Sequence, residues 1–380
     1  MMTCKDLKFC KLFFITLFLS STTFAQTSNS ILTDNKLKTK LDAAVDYAAR
    51  IYLQDSNTNG VSIGVCYKAK KYTYNYGKGS LATADMFYNI GSVAKTFVTT
   101  ILAQAVIDKK VSLNDDIRKF LPGSYPNLQY NDQPIRFVNL ANHTSGLPTT
   151  FRKFSSIIQD SLKKLNMAQQ VHFFSLYNED SLLADLHFAT LDTLPGTMFQ
   201  YNSSAMELLE VLLERIYKKP YEEIVTTFLR THLKMFHTKP FLTEAEIKKA
   251  VQGYNGNGKP QQFFNLKGFY LGPTMNSTIN DMLKYIKANL ANSDKAINLT
   301  HRLTYGKENG FRLGLGWMID KDSNGERYIY HDGNTKIGYN TFCVFYPDKG
   351  LGFIIIANDT TSLENVGQIE NNIKKYLNQE

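Results

Sequence analysis

The stretch NIGSVAKTFVTTILAQAVIDKK, residues 89–110, sets a serine three residues ahead of a lysine at the start of an apolar helix. Ala94, Phe97, Val98, Ile101, Leu102, Ala105 and Val106 cover most of the helix circumference, which predicts a buried helix from Ser92 to about Asp108. A spacing of three puts Ser92 and Lys95 on one helix face. Burial disfavours the charged ammonium of a lysine, because desolvation weighs on the charged form. The free amine is then accessible near neutral pH as a proton acceptor for the adjacent hydroxyl. The helix N-terminus also favours negative charge developing on Ser92. The plainer alternative is an ordinary helix start whose lysine reaches outward to solvent.

Two other serines carry similar local patterns. Ser161–Lys164 repeats the Ser-x-x-Lys spacing, but in the polar segment QDSLKKLN, which reads as an exposed helix. Gly60-Val61-Ser62-Ile63-Gly64 matches G-x-S-x-G, a motif that needs a strand before the serine and a helix after it. Here β-rich sequence runs straight on through Cys66 and Tyr67, so Ser62 is expected to be an ordinary strand residue.

At the N-terminus, Lys5, Lys8 and Lys11 precede the apolar run LFFITLFL and the small-residue site Thr23-Phe24-Ala25. This is the pattern of a cleaved signal peptide over residues 1–25, and the run is too short for a spanning helix, which needs about 20 residues. The expectation is an exported chain, periplasmic or secreted, with no stable membrane anchor. Its mature part, 26–380, is long for one compact core and fits two joined lobes. Losing three lysines and Asp6 with the signal lowers the formal charge from +9 to +7. The remaining positive charges are scattered as a solvated basic surface, and export argues against a nucleic-acid partner. Cys4 and Cys10 also leave with the signal, so only Cys66 and Cys343 remain, and no Cys/His spacing points to a metal or other cofactor.

Residues 33–55 read as a helix, and 60–79 as two strands joined by a Lys-rich turn. The middle, about 110–300, is helical and loop-rich, with helices at 205–219 and 277–290. From about 310 strands return in GLGWMID, RYIYHDGN, YNTFCVFYP and LGFIIIAN, before a closing helix. Strands at both ends of the chain imply one sheet split in sequence, with a helical lobe inserted between its halves. The expected lobes are a sheet lobe of about 30–90 and 305–380 and a helical lobe of about 91–304.

Two further segments carry candidate chemistry. In PGTMFQYNSSAMELL (195–209) Tyr201 stands just before a helix, where a phenol near Ser92 and Lys95 would relay protons. In YIYHDGNTKIGY (328–339) a strand delivers His331-Asp332-Gly333, and the glycine permits close backbone approach of a ligand.

These pieces, in this order, resemble the penicillin-recognising serine hydrolases, in the branch of class C β-lactamases, D-alanyl-D-alanine carboxypeptidases and related esterases and D-amino-acid peptidases. VSLNDDIRKFLP, LANHTSGLP and IGYNTFCVFYPDKGLGFIIIAN look like further landmarks of that family, so the resemblance covers the mature chain. It implies an α/β (α+β) fold of the β-lactamase/transpeptidase type: an antiparallel sheet flanked by helices, with an inserted all-helical lobe. It also implies Ser92 as nucleophile, Lys95 as base, Tyr201 as proton shuttle and His331 in the third motif. The backbone amides of Ser92 and Asn334 would form the oxyanion hole, with Asp332, Gly333, Asn202 and Ser203 around the substrate.

Two departures shape the expected substrate. The family's second motif is Tyr-x-Asn, but here Ser203 holds the third position and the asparagine stands at Asn202. His331 replaces a lysine that would supply fixed positive charge for a substrate carboxylate. The expected function is thus an exported serine hydrolase acting through an acyl-enzyme on a small-molecule or peptide acyl substrate, peptidoglycan-derived peptides included, or on an ester. A class C-like β-lactamase and a non-catalytic envelope-binding or sensor protein are the alternatives. By the same resemblance Cys66 and Cys343 lie two strands apart, about 10 Å, too far for a disulfide.

Overall fold

The computed structural model describes residues 30–379 apart from 153, 266–271, 292 and 308–309. The expected signal peptide therefore lies outside the described residues. Among the described residues, nine strands form one sheet in the order Ile31–Thr33, Lys70–Lys78, Gly60–Tyr67, Leu351–Ala357, Tyr339–Tyr346, Arg327–Thr335, Met318–Lys321, Arg312–Leu313 and Tyr305–Gly306. Every neighbouring pair is antiparallel. The strand Leu351–Ala357, from the chain's end, thus pairs with Gly60–Tyr67, from its beginning, and closes the split sheet.

Strand alternation divides two apolar layers. Val61, Ile63 and Val65, with Phe353 and Ile355, face the helices Lys40–Tyr52 and Leu363–Leu377. Cys66, Cys343, Ile354 and Ile356 face the other way, into a core shared with the helices Ala94–Ile107, Ser203–Tyr217 and Ile279–Ala291. Because the central strands are covered on both faces, LGFIIIA is buried throughout rather than alternating. A Cβ on Gly64 would stand 2.9 Å from Leu283, and one on Gly352 2.5 Å from Ile286, so these glycines let Ile279–Ala291 lie directly on the sheet. That helix therefore belongs to the sheet layer although it precedes residue 305.

The first helix starts later than periodicity alone indicates. Thr39 accepts from the Asp42 amide while the Asp42 carboxylate accepts from the Thr39 amide, and this capping box sets the start at Lys40. Ile31–Thr33 instead extends the sheet edge. Ser62 lies inside its strand, its hydroxyl 2.6 Å from Asn75 Oδ1 and 2.7 Å from the Tyr88 hydroxyl. Ser161 caps back onto the Ile157 carbonyl of an exposed helix, Ser156–Lys164. Cys66 pairs across from Gly352 and Cys343 from Ile354, on strands flanking Leu351–Ala357, and both thiols are buried and free. Among the described residues, no helix is long and apolar enough to cross a membrane.

Candidate active site

A 3₁₀ turn, Gly91–Val93, feeds the helix Ala94–Ile107 and presents Ser92 at its start. Asn89 Oδ1 accepts from the Gly91 amide at 3.0 Å, while Asn89 Nδ2 donates to Thr274 Oγ1 and Asn276 Oδ1. Gly91 has φ +54°, and a Cβ there would meet Asn334 N at 2.9 Å. A Cβ on Gly333 would lie 2.4 Å from the Ile90 carbonyl oxygen and 3.0 Å from Ser92 N. The glycine expected to admit a ligand therefore admits the chain's own turn. This contact brings the backbone amides of Ser92 and Asn334 to the same point of the molecule.

Lys95 is 2% exposed, and its Nζ lies 3.0 Å from Ser92 Oγ. Burial lowers the Lys95 pKa to about 8, against the opposing pull of Glu207, Glu210 and Asp332. The Tyr201 hydroxyl is hydrogen-bonded to Ser92, and Lys95 Nζ stands 4.9 Å from the centre of the Tyr201 ring. Desolvation of the phenol raises its pKa, so Tyr201 is protonated at neutral pH. Serine, lysine and tyrosine are thus in mutual contact, with the lysine the one group that titrates near neutrality.

His331 is 2% exposed, and its Nδ1 lies 2.6 Å from the Asp332 carbonyl oxygen. Burial, with Lys95 nearby, holds its pKa down to about 3, so the imidazole is neutral and adds no fixed cation. Asp332, half-buried beside it, has its carboxyl pKa raised by desolvation and opposed by Lys95.

Asn202 takes a different role from the one expected. It is the N-cap of Ser203–Tyr217: Oδ1 accepts from the Ala205 amide at 2.9 Å, and Nδ2 donates to the Leu147 and Pro148 carbonyls. With the side chain 1% exposed and these groups engaged, it is a helix cap rather than a substrate ligand. Ser203, the next residue, lines the cavity at Ser92.

Two residues of the site were not singled out from sequence. His143, at φ +58°, packs its ring 4.6 Å from that of Tyr201, and its Nδ1 accepts from the Asn202 amide. Its buried Nε2 has no hydrogen-bond partner among the described residues. Glu207, one turn beyond Ser203, is 1% exposed; Oε1 accepts from the Gly272 amide at 2.6 Å, and Oε2 has no hydrogen-bond partner among the described residues. Burial pushes its carboxyl well above the usual range, the Gly272 bond opposing. The available signal was an acidic residue interrupting the apolar run AMELLEVLL. Gly272 lies against both Ser203 and Lys95 Nζ.

Ser92, Lys95 and Ser203 open into a cavity of about 230 Å³ whose lining also includes the segment Asn334–Lys336 and Met167, Val171 and Phe174. Among the described residues, no cluster of three His, Cys, Asp or Glu is placed to hold a metal ion. The arrangement is a hydroxyl, an adjacent amine of lowered pKa, a protonated phenol, and two backbone amides brought together, the groups that acyl transfer requires.

Comparison with known proteins shows the family and the fold. The beta-lactamase family model matches residues 41–377, and the chain belongs to that family. It is 24% identical over 324 residues to Protein flp of Staphylococcus aureus, a match covering 80% of this chain and 61% of that protein. The chain thus spans about three-fifths of the length of those relatives. A beta-lactamase of Pseudomonas fluorescens is 23% identical over 362 residues, covering 84% of this chain and 94% of the relative. Among solved structures, a beta-lactamase/D-alanine carboxypeptidase from Pseudomonas syringae superposes with TM-score 0.72 at 21% identity, covering 90% of this chain and all of that one. The corresponding Yersinia pestis protein, solved with citrate, gives TM-score 0.75 at 22% identity, over 89% and 98% of the two chains. The fold is the β-lactamase/transpeptidase fold.

Proposed function

We propose that this β-lactamase-family protein is an exported serine hydrolase that forms an acyl-enzyme on Ser92 from a peptide or ester substrate. The observation that carries the reading is the 3.0 Å contact between Ser92 Oγ and a buried Lys95 Nζ whose pKa is lowered to about 8. Lys95 as free amine takes the hydroxyl proton while Ser92 Oγ bonds to the acyl carbon. The carbonyl oxygen becomes an oxyanion facing the Ser92 and Asn334 amides. Tyr201 donates its proton to the departing amine or alkoxide and regains one from Lys95. Water then attacks the ester by the same steps in reverse order and releases the acid.

Substrate preference leans on the two departures. The asparagine of the second motif caps a helix, leaving the shorter Ser203 at the cavity. His331 is neutral, so the fixed charge that a lysine would offer a carboxylate is missing at that position. Both favour a D-amino-acid peptidase, carboxypeptidase or esterase over a dedicated β-lactamase. Intact-mass spectrometry with a fluorophosphonate, then with a penicillin, tests the reading with Ser92→Ala in parallel. One adduct with the fluorophosphonate, absent from the variant, is expected. An added penicillin adduct points to a carboxypeptidase-like site, and no adduct with either reagent overturns the assignment in favour of a binding protein.

A further inference from the structure

An apolar part of the cavity lining at Ser92 comes from one helix. Met167, Val171 and Phe174 stand at i, i+4 and i+7 of Met167–Ser175, so they share a face, and all three line the cavity. Gln170 also lies on that face, but its Nε2 donates to the Leu162 and Leu165 carbonyls and ties this helix to the preceding one. Phe174 is 9% exposed and braced by Phe173, with ring centres 5.3 Å apart. Another part of the lining is polar: Asn334, Thr335 and Lys336, at the end of the strand Arg327–Thr335. Of the described residues lining the cavity, Lys95 and Lys336 bear the only charges, both positive. The lining at Ser92 therefore combines an apolar helix face with a polar, cationic strand end.

We propose that the helix face Met167–Val171–Phe174 is an acyl-chain subsite, so that the substrate is an acyl donor whose acyl part is an unbranched apolar chain of about four to six carbons. This rests on Ser92 being the nucleophile. The chain lies along the helix with its carbonyl carbon at Ser92, and the leaving group faces Asn334–Lys336. Each methylene moved from water onto this wall contributes about fourfold to kcat/KM, provided the contact persists in the transition state.

Hydrolysis of p-nitrophenyl acetate, butyrate and hexanoate by the purified protein tests the subsite, with fluorophosphonate labelling of Ser92 measured on the same preparation. The expected result is a kcat/KM that rises about 15-fold for each two carbons added. In Val171→Asp, and more mildly in Met167→Ser, the hexanoate-to-acetate ratio should fall towards one while the melting temperature holds. A flat or falling series with Ser92 still labelled overturns the subsite alone. A rising series that Val171→Asp leaves unchanged also overturns it, because the selectivity then lies elsewhere. No hydrolysis and no labelling overturns both the subsite and the nucleophile assignment.

Discussion

Lys95 Nζ lies 3.0 Å from Ser92 Oγ on a side chain that is only 2% exposed, beneath a turn whose glycine presses on the Asn334 backbone. The helix start supplies the pair, and the surrounding burial supplies its chemistry. With the pKa near 8, about a tenth of the lysine is free amine at pH 7, far more than an ordinary lysine offers.

The rate of Ser92 acylation should therefore rise about tenfold per pH unit below pH 8 and level off above it. Tyr201 and the acids Glu207 and Asp332 have raised pKa values and His143 and His331 are neutral, while burial lifts the Glu210 carboxyl to about 8, so this limb belongs to Lys95 coupled to Glu210. Fluorophosphonate labelling rates between pH 5.5 and 9.5 measure it. A flat profile would mean that Lys95 is not the base.

The same burial weakens the fold. The folded pKa of Lys95 is below its ordinary 10.5, so the unfolded chain binds more protons between about pH 8 and 10.5. The destabilisation is fully present below pH 8 and fades as the pH climbs towards 10.5. Lys95→Met should thus raise stability at pH 7 by up to about 3 kcal/mol, with a melting temperature several degrees higher, while acylation is lost. The gain should shrink in the same melts repeated near pH 10. A variant less stable than wild type at pH 7 contradicts the account.

Asn202 and Ser203 should separate cleanly. Asn202→Ala removes the cap of Ser203–Tyr217 and leaves the Leu147 and Pro148 carbonyls without that donor, and it should cost about 1–2 kcal/mol in denaturant unfolding. Ser203→Ala should leave unfolding nearly unchanged and shift KM, since Ser203 lines the cavity. Equal effects of the two variants on stability would remove the distinction.

Glu207 supplies an acceptor to Gly272, the residue lying against Lys95 and Ser203. Burial holds its carboxyl well above the usual range, so Glu207→Gln, which keeps both shape and acceptor, should leave the midpoint of the acylation pH profile nearly in place. Glu207→Leu leaves the Gly272 amide unpaired and should cost about 1–3 kcal/mol, with slower acylation. A midpoint that falls in Glu207→Gln would show instead that an ionised Glu207 supports the lysine.

Residues near in sequence were legible because periodicity encodes burial. The apolar circumference of 94–106 announced a buried helix, the three-residue spacing put Ser92 beside Lys95, and β-rich sequence on both sides of Ser62 marked it as a strand residue. Where a local rule competed with periodicity, boundaries slipped: the Thr39–Asp42 capping box, not the apolar pattern, starts the first helix.

What the chain alone determined is therefore the split sheet, its flanking helices and the turn that sets Ser92 beside Lys95. What only the tertiary structure decided is which distant groups meet there. Tyr201 touches Ser92 across more than a hundred residues, His143 packs beneath Tyr201, and Glu207 reaches Gly272. Asn202 turns inward to cap a helix and satisfy two carbonyls instead of facing a substrate. Hydrophobic pattern specifies that a side chain is buried, but not which partner it finds. A buried polar group must be paired wherever packing brings a donor or acceptor, so packing of the two layers set these roles.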